Sequence, residues 1–318
     1  MLRYIARRTG RVLFVVWASY TLTFVVLFLL PGDPVQTMLS GATGGESAVD
    51  QEQAAALRHQ LGLDRPVAVQ YVSLLTHALR GDLGVSIRSG APVTTTLADA
   101  LPDTLAVAGL ALPLSVLVAL VLAVGGAWPR SAALRRAATG LPSLGTAVPS
   151  FWLGLLLMQW VSFRWGLLPA TGGGRSPAAI LLPALTLAVP VGCVLAQILG
   201  RGLRYALAQP HADVARARGA GRARLLFGHA LRNASVPAVA MLGVVCGQLL
   251  AGAVLVETVF ARDGVGRVAV DAVTNQDLPV VQGVVVLAAA VTALVNLAVD
   301  LLIPLLDPRT ATEVHHAG

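Results

Sequence analysis

The composition of this chain is that of a membrane protein. Of its 318 residues, 56% are hydrophobic and only 12% are charged, and the mean hydropathy is +0.74. Soluble domains carry about 25% charged residues, so this chain has too few charges to cover a water-facing surface. All 23 basic residues are arginine. Because the phosphate-binding loop of many ATPases needs a lysine, an ATP site of that type is excluded.

The sequence also lacks the residue patterns of an enzyme or a metal site. Cys193 and Cys246 both lie in apolar runs, which favours two small membrane-core residues over a disulfide. No Cys/His cluster has the spacing of metal ligands. No paired acids or Ser/His arrangement falls at matching membrane depths. We therefore expect no catalytic residue, no metal site and no cofactor within this chain.

The first predicted transmembrane helix is the uncharged run 12–30, which follows four arginines. It is longer than the core of a signal peptide, about 7–15 residues, and no A-x-A-like cleavage site follows it. Pro31, Gly32 and Pro34 end the run, because prolines and glycine do not continue a helix. We predict that this helix is retained and that the N-terminus is cytoplasmic.

A polar segment runs from the first predicted span to about Asp103 and holds eight acids against four arginines. Its composition predicts a loop at 40–50, a helix at 51–61 and an amphipathic helix at 67–79. The apolar face predicted for the last helix consists of Val69, Val72, Leu75 and Leu79. We expect this segment to lie outside the cell membrane, and we assign residues 1–103 to an N-terminal region and 104–318 to a core domain.

Five further uncharged runs are each long enough, at about 20 residues, to cross a bilayer core of about 30 Å. Pro149, Pro183 and Pro190 lie within two of them, and a membrane bundle tolerates the bends that prolines cause. The sequence therefore predicts an all-α integral membrane protein with six transmembrane helices. The five runs are 104–128, 137–163, 176–200, 233–256 and 278–299.

Residues 201–237 form a basic interval with seven arginines and a single acid. Pro210 suits the first turn of a short helix, and Asp213 in that turn suits the helix dipole. Gly219 and Gly221 predict a break, after which 222–233 predicts a second helix. We call this helix–break–helix unit, residues 210–233, the elbow. Its charge fits either a basic cytoplasmic loop or a docking element for an acidic partner.

The arginines set the predicted topology. Fifteen fall in the segments on the side of the N-terminus and eight in the segments on the other side. Cytoplasmic loops carry the excess of arginine, so the elbow and both termini are predicted to be cytoplasmic.

The predicted spans hold almost no ionisable groups, and Glu257 and Asp300 lie at or near span ends. Charged groups inside a membrane mark proton relays and ion sites, so their scarcity argues against a proton-coupled carrier or a membrane-embedded hydrolase. Neutral polar groups within spans serve as interhelical hydrogen-bonding groups or contact solute. The candidates for lining a pathway are Gln248, Gln197 and Gln159.

The elbow resembles a family signature. The run D-V-A-R-A-R-G at 213–219, followed after nine residues by H-A-L-R-N-A at 229–234, is similar to the EAA loop of permease subunits of ABC importers. Asp213-Val214-Ala215 stands where that family's general pattern has Glu-Ala-Ala, and Arg232 stands where it has proline. These substitutions resemble the dipeptide/oligopeptide/nickel branch of the family.

Other motifs in the right order extend this resemblance over nearly the whole chain. They are L-P-G-D-P at 30–34, R-G-D-L-G at 80–84, E-T-V-F at 257–260, G-V-G-R at 264–267, D-L-P-V-V-Q-G at 277–283, N-L-A-V-D at 296–300 and D-P-R at 307–309. The resemblance implies the type I ABC importer permease fold and import of peptides. Nickel, metal–chelator complexes and glutathione are alternative solutes within the same branch.

The resemblance also implies partners and roles. A second similar permease, two ATPase subunits that bind ATP and magnesium, an extracytoplasmic binding protein and the lipid membrane are expected, and no nucleic acid. The loop at about 201–236 would couple to the ATPase subunits through Asp213, Ala215, Arg216, Arg218, Gly219 and Arg222. Two other classes remain as alternatives, a stand-alone channel or secondary carrier and a membrane-bound enzyme.

Overall fold

The computed structural model describes residues 2–29, 64–129, 131–172 and 174–306, and these are built almost entirely from helices. Predictions for the 40–50 loop and the 51–61 helix, like the L-P-G-D-P and D-P-R motifs, lie outside the described residues. The α-helices are α1 Leu2–Leu29, α2 Val67–Leu79, α3 Val93–Ala127, α4 Ala132–Ala147, α5 Ser150–Leu157, α6 Pro177–Leu207, α7 Pro210–Ala217, α8 Leu231–Ala240, α9 Leu242–Val259, α10 Val265–Thr274 and α11 Leu278–Leu306. Wider π-helical turns extend α5 over Met158–Arg164 and lead into α8 over Arg224–Ala230.

The predicted membrane-crossing architecture is confirmed. Five of the described helices are long and apolar enough to cross a membrane, and the pair α4 and α5 makes a sixth span if its two parts are counted together. Their sum matches the six predicted spans, although one predicted span is broken in two and two others begin 11 and 9 residues from the predicted start.

The predicted third span, 137–163, is not one continuous helix. Its two parts, Ala132–Ala147 and Ser150–Arg164, meet at an angle of 97°. Val148 has extended backbone, and Pro149 precedes the first residue of α5. Proline disfavours helix at the residue before it, so the sequence Val148-Pro149 accounts for the break.

The other two differences concern where helices begin. The second span begins at Val93 rather than at 104, because Val93, Leu97 and Ala100 are buried in an apolar cluster and continue the helix outward. The predicted fifth span, 233–256, is interrupted at Met241. Its first residues belong to the helix that begins at Arg222, and the apolar helix is Leu242–Val259.

The chain divides into two compact units. One comprises Met1–Pro102 and Asp263–Ala293, and the other comprises Asp103–Arg262 and Leu294–Gly318. In the first unit, apolar side chains of α3, α10 and α11 form a core that includes Val93, Leu97, Val265, Ala272 and Val280.

Helix α2, in the first unit, forms where the amphipathic pattern predicts it but uses a different face. Val69, Val72 and Leu79 are 46%, 56% and 80% exposed. The contact with α1 is made by Tyr71, whose hydroxyl lies 2.7 Å from Thr21 Oγ1. Its ring also meets the edge of Phe24 at a centroid distance of 5.3 Å. Tyr71, which lies between the predicted apolar positions, therefore attaches α2 to α1.

The second unit has two apolar cores along α6. One core joins α6 to α3 and α9 through residues such as Val107, Leu187, Leu195, Leu249 and Phe260. The other joins α6 to the end of α3 and to the helix after the break, through Ala123, Leu199, Leu203, Leu226 and Ala230. Helix α6 is thus the central helix of this unit, and it positions both the elbow and the clefts described below.

Candidate functional site

The first helix of the elbow, α7, begins and ends as the sequence predicts. Pro210 occupies its first position and Asp213 lies in its first turn. At the other end, Gly219 N–H donates to Arg216 O at 2.9 Å, and Ala220 N–H donates to Ala215 O at 3.0 Å. These two bonds define a Schellman motif, which needs a left-handed residue at the first non-helical position.

Gly219 supplies that left-handed residue, with a φ of +82°. A Cβ placed there would meet no atom within 4 Å, so the requirement for glycine comes from the backbone and not from crowding. The nearby Gly221 has no left-handed φ. The break predicted at two glycines therefore depends on one of them.

The carboxylate of Asp213 accepts a hydrogen bond from Arg216 one turn later on the surface of α7. The same guanidinium donates to the carbonyl of Leu207, the last residue of α6, at 3.2 Å. Arg216 thus fixes α7 against the end of α6 within this chain, and its predicted contact with a partner subunit stays a prediction.

Arg222 makes a similar connection to a different helix. Its guanidinium donates to the carbonyls of Ala127 and Pro129, at 3.2 and 3.3 Å. It also lies over the ring of Trp128, 5.9 Å from the centroid. This arginine therefore attaches the second helix of the elbow to the end of α3.

Arg218 lies at the end of α7 and its side chain is exposed. Within the described residues, it has no carboxylate within salt-bridge distance. Arg222, Arg224 and Arg232 are also exposed and share this property, but Arg222 uses its donors on backbone carbonyls. Among Arg216, Arg218 and Arg222, it is Arg218 whose guanidinium has no hydrogen-bond partner among the described residues. The structure assigns no ligand to it.

The first two arginines of the basic interval 201–237 lie in helix α6 and not in a loop. Arg201 and Arg204 were counted with it, but both belong to the last turns of α6, which continues to Leu207. Gly200 and Gly202 precede or flank these arginines without ending the helix, which stops just before Gln209-Pro210, where proline disfavours helix at the residue before it.

Two clefts in the second unit are lined by polar residues of the predicted spans. The first, which we call the Gln248 cleft, has a volume of about 220 Å³ and lies beside the break between α4 and α5. Its polar lining consists of Thr146, Ser150 and Gln248, and its apolar lining comes mainly from α6. The break at Val148-Pro149 lies between two lining residues of this cleft, Thr146 and Ser150.

The second, which we call the Arg201 cleft, has a volume of about 180 Å³. Its polar lining consists of Thr139, Ser143, Gln197, Arg201 and Arg204. Gln197 Nε2 lies 3.5 Å from Thr146 Oγ1, so the two clefts adjoin at that pair. The predicted pathway residues Gln248 and Gln197 are thus brought to neighbouring positions.

The third predicted pathway residue, Gln159, lies elsewhere. It is exposed on the π-helical turns after α5 and lines neither cleft. A glutamine in an apolar run signals a polar contact, but the run alone does not show which side of the helix faces a cleft.

The sequence analysis missed a buried ionic network in the second unit. Arg262 was counted as a loop cation, but its side chain is 1% exposed. It donates to the carbonyls of Gly174 and Ala179 at 2.9 and 3.3 Å and lies 3.6 Å from the carboxylate of Asp103. Arg175, which is 59% exposed, donates to the same carboxylate at 3.1 Å. This network fixes the connection that precedes α6.

The sequence places Glu257 near the end of a span. In the structure its side chain is fully buried. Its carboxylate accepts a hydrogen bond of 2.6 Å from the hydroxyl of Thr104 on α3. The E-T-V-F motif therefore carries a structural carboxylate that connects α9 to α3.

In the first unit, the R-G-D-L-G and D-L-P-V-V-Q-G motifs form one structure. The buried carboxylate of Asp277 accepts hydrogen bonds from Ser86 Oγ at 2.5 Å and from Ile87 N–H at 3.1 Å. Nearby, a Cβ at Gly283 would lie 2.6 Å from Val93 Cγ1, so only glycine allows α11 to approach α3 this closely. Sequence order alone did not show that these two motifs meet.

The sequence matches two families that together span nearly the whole chain. Residues 99–312 match the binding-protein-dependent transport system inner membrane component family. Residues 1–108 match the N-terminal region of the same membrane component.

Relatives of similar length support this assignment. The chain is 34% identical to the dipeptide transport system permease protein DppB of Escherichia coli strain K12, over 97% of this chain and 98% of that protein. It is 35% identical to the glutathione transport system permease protein GsiC of Salmonella choleraesuis, over 97% and 98%. It is also 35% identical to the probable peptide ABC transporter permease protein y4tP of Sinorhizobium fredii, over 96% and 98%.

Among solved structures, an inward-facing form of the MetNI methionine ABC transporter has the same fold. It superposes with a TM-score of 0.56 at 17% identity, covering 66% of this chain and 96% of that one. The chain belongs to the family of inner membrane components of binding-protein-dependent transport systems.

Proposed function

We propose that this chain forms half of the translocation pathway of an ATP-driven importer whose solutes are peptides. The observation that carries the proposal is the identity of 34–35% with permeases named for dipeptides, peptides and glutathione, over 96% or more of the chain. A second, similar permease subunit would supply the other half. Residues 1–103 and 104–318 would be its N-terminal region and core domain, in keeping with the family matches at 1–108 and 99–312.

The elbow is the proposed contact with two ATPase subunits, which would bind ATP and magnesium. The contacts within the elbow divide its predicted residues by role. Arg218 is exposed and would meet the ATPase, whereas Arg216 and Arg222 hold the elbow to α6 and α3. Gly219 would set the angle between the two helices of the elbow. ATP-driven movement of the ATPase subunits would then shift α6 and α3 together.

The excess of arginine supports a cytoplasmic elbow and cytoplasmic termini. The polar residues of the Gln248 cleft and of the Arg201 cleft would line the pathway in this arrangement. An extracytoplasmic binding protein would deliver the solute from the opposite side.

ATPase activity of the assembled complex, reconstituted with its binding protein, tests this proposal. The solutes compared are dipeptides, oligopeptides, glutathione, nickel and metal chelates. Stimulation by peptides supports peptide import, and stimulation by glutathione alone supports the solute named for the relative GsiC. Stimulation by nickel or a chelate alone, or solute movement by this chain with no ATPase bound, would overturn it.

A further inference from the structure

The two clefts adjoin at Gln197 and Thr146 and together follow α4 and α6. On α4, the lining residues Thr139, Ser143 and Thr146 recur at intervals of three or four, and Ser150 at the start of α5 continues them. This is the spacing of residues on one face of a helix. We call this feature the α4–α6 groove.

The α6 side of the groove shows the same spacing. The lining residues are Leu187, Pro190, Val191 and Val194 in the Gln248 cleft and Ala196, Gln197, Gly200, Arg201 and Arg204 in the Arg201 cleft. At 1.5 Å per residue, the distance along α6 from Leu187 to Arg204 is about 26 Å, most of the roughly 30 Å thickness of a bilayer core. The groove is therefore long enough to lie along much of a membrane crossing.

The charge of the groove is confined to one end. The lining of the Gln248 cleft is neutral, whereas the Arg201 cleft carries the guanidinium groups of Arg201 and Arg204. In the part of the chain that the structure describes, neither guanidinium has a carboxylate within salt-bridge distance. Arg216 and Arg222, by contrast, both have partners within the chain. The guanidinium donors of Arg201 and Arg204 are therefore available at one end of the α4–α6 groove.

We propose that Arg201 and Arg204 form a binding subsite for the carboxylate of a solute that moves along the α4–α6 groove. This inference rests on the proposed function and names the chemical group that the pathway recognises. A guanidinium binds a carboxylate through paired hydrogen bonds, and hydroxyls of Thr139 and Ser143 line the same cleft. A peptide with a free C-terminus would carry that carboxylate. A lipid phosphate could meet the same guanidinium groups, but the continuity with the neutral Gln248 cleft favours a solute.

Uptake into proteoliposomes containing the assembled complex and its binding protein tests the subsite. A dipeptide is compared with its C-terminal amide in the wild type, in Arg201→Gln/Arg204→Gln and in Arg201→Lys/Arg204→Lys. Arg7→Gln/Arg11→Gln is the control, because it removes the same number of positive charges from α1 and lines neither cleft. The binding protein is the same in every assay. Its own preference for acid or amide therefore cancels when the uptake rate of each variant is divided by the wild-type rate for the same solute.

At subsaturating solute, we expect the double glutamine variant to take up the free dipeptide about tenfold more slowly. The double lysine variant should fall between the glutamine variant and the wild type, because it keeps both charges but loses the paired hydrogen bonds. The control should stay near the wild-type rate. Amide uptake, wherever the wild type supports it, should be equal in all four proteins. Unchanged uptake of the free dipeptide in the glutamine variant overturns the inference, and so does an equal loss for acid and amide.

The lipid composition distinguishes a solute from a headgroup. The same comparison is made in phosphatidylcholine alone and in mixtures with phosphatidylglycerol. A loss that appears only with phosphatidylglycerol assigns the arginines to lipid and overturns the inference. A wild-type complex that moves no peptide in any vesicle contradicts the proposed function instead.

Discussion

The hydroxyl of Ser86 donates to the carboxylate of Asp277 across a sequence separation of 191 residues. The same carboxylate accepts from the backbone N–H groups of Ile87 and Arg88 at 3.1 and 3.4 Å. One buried carboxylate therefore fixes the loop before α3 against the start of α11.

Replacing Asp277 by asparagine should destabilise this loop. The amide has one acceptor oxygen, and its NH₂ group would face backbone donors that then lack a partner. We expect a loss of about 1–3 kcal/mol in unfolding free energy, measured by thermal or denaturant unfolding of the purified protein in detergent. Asp99→Asn on the exposed face of α3 is the matched control. Equal stability of the two variants would show that the carboxylate is dispensable.

The left-handed backbone at Gly219 leads to a second prediction. A β-branched residue at a φ of +82° costs about 1–2 kcal/mol, so Gly219→Val should distort the end of α7. We expect ATPase activity to continue without coupled solute uptake, while the amount of membrane-inserted protein stays unchanged. Both rates are measured in the reconstituted complex.

Two controls separate backbone conformation from side-chain size at this position. Gly219→Asn should retain coupling, because asparagine tolerates the left-handed region. Gly221→Ala should also retain it, since a Cβ there meets no atom within 4 Å. Normal uptake by Gly219→Val would remove this glycine from the proposed coupling.

The contrast between Arg262 and Arg175 gives a third prediction. Removing the buried Arg262 guanidinium leaves the carbonyls of Gly174 and Ala179 without that donor, so Arg262→Gln should cost about 1–3 kcal/mol. Arg175 is 59% exposed, and an exposed ion pair contributes only about 0–1 kcal/mol. The unfolding midpoint in detergent should therefore fall much further for Arg262→Gln than for Arg175→Gln. Similar midpoints would refute a structural role for the buried cation.

A fourth prediction concerns the contact between α4 and α6. A Cβ at Gly145 would lie 2.3 Å from the Sγ of Cys193, which is too close for a carbon and a sulfur atom that are not bonded to each other. Gly145→Ala should therefore cost about 1–3 kcal/mol of stability.

A double-mutant cycle tests the cause of that cost. In a Cys193→Ala background the clashing sulfur is absent, and the nearest atom is Cβ at 3.3 Å. The cost of Gly145→Ala should then be largely relieved. An undiminished cost in the double variant would mean that the strain has another source.

The sequence predicted the elements whose cause is local. Run length and composition placed the apolar helices, and Pro210 and Gly219 placed the ends of α7. Val148-Pro149 contained the signal for a break, but its angle of 97° depends on how the following helix packs. Local signals therefore predict where a helix stops more reliably than where the chain goes next.

The candidate site was predicted less completely, because it depends on contacts between distant residues. Arg216 and Arg222 look like free surface cations in the sequence, and only the positions of Leu207 and Ala127 show that their donors are used. Likewise, Arg262 and Glu257 look like loop residues until α3 is placed beside them. Gln248 and Gln197 were found from polarity alone, whereas Gln159 has the same polarity and lies elsewhere. Coupling and pathway roles for all these residues stay predictions.

The attachments of the elbow have a mechanical consequence. A helix attached to its neighbours at a single flexible point can rotate about that point, and a force on its free end then causes rotation instead of translation. Arg216 adds a second link at Leu207, and Arg222 adds a third at Ala127 and Pro129. Each added link removes a direction of free rotation. In the proposed coupling role, a force applied at Arg218 would be transmitted to both α6 and α3, and the rigidity of these attachments would set how much of it reaches the two helices.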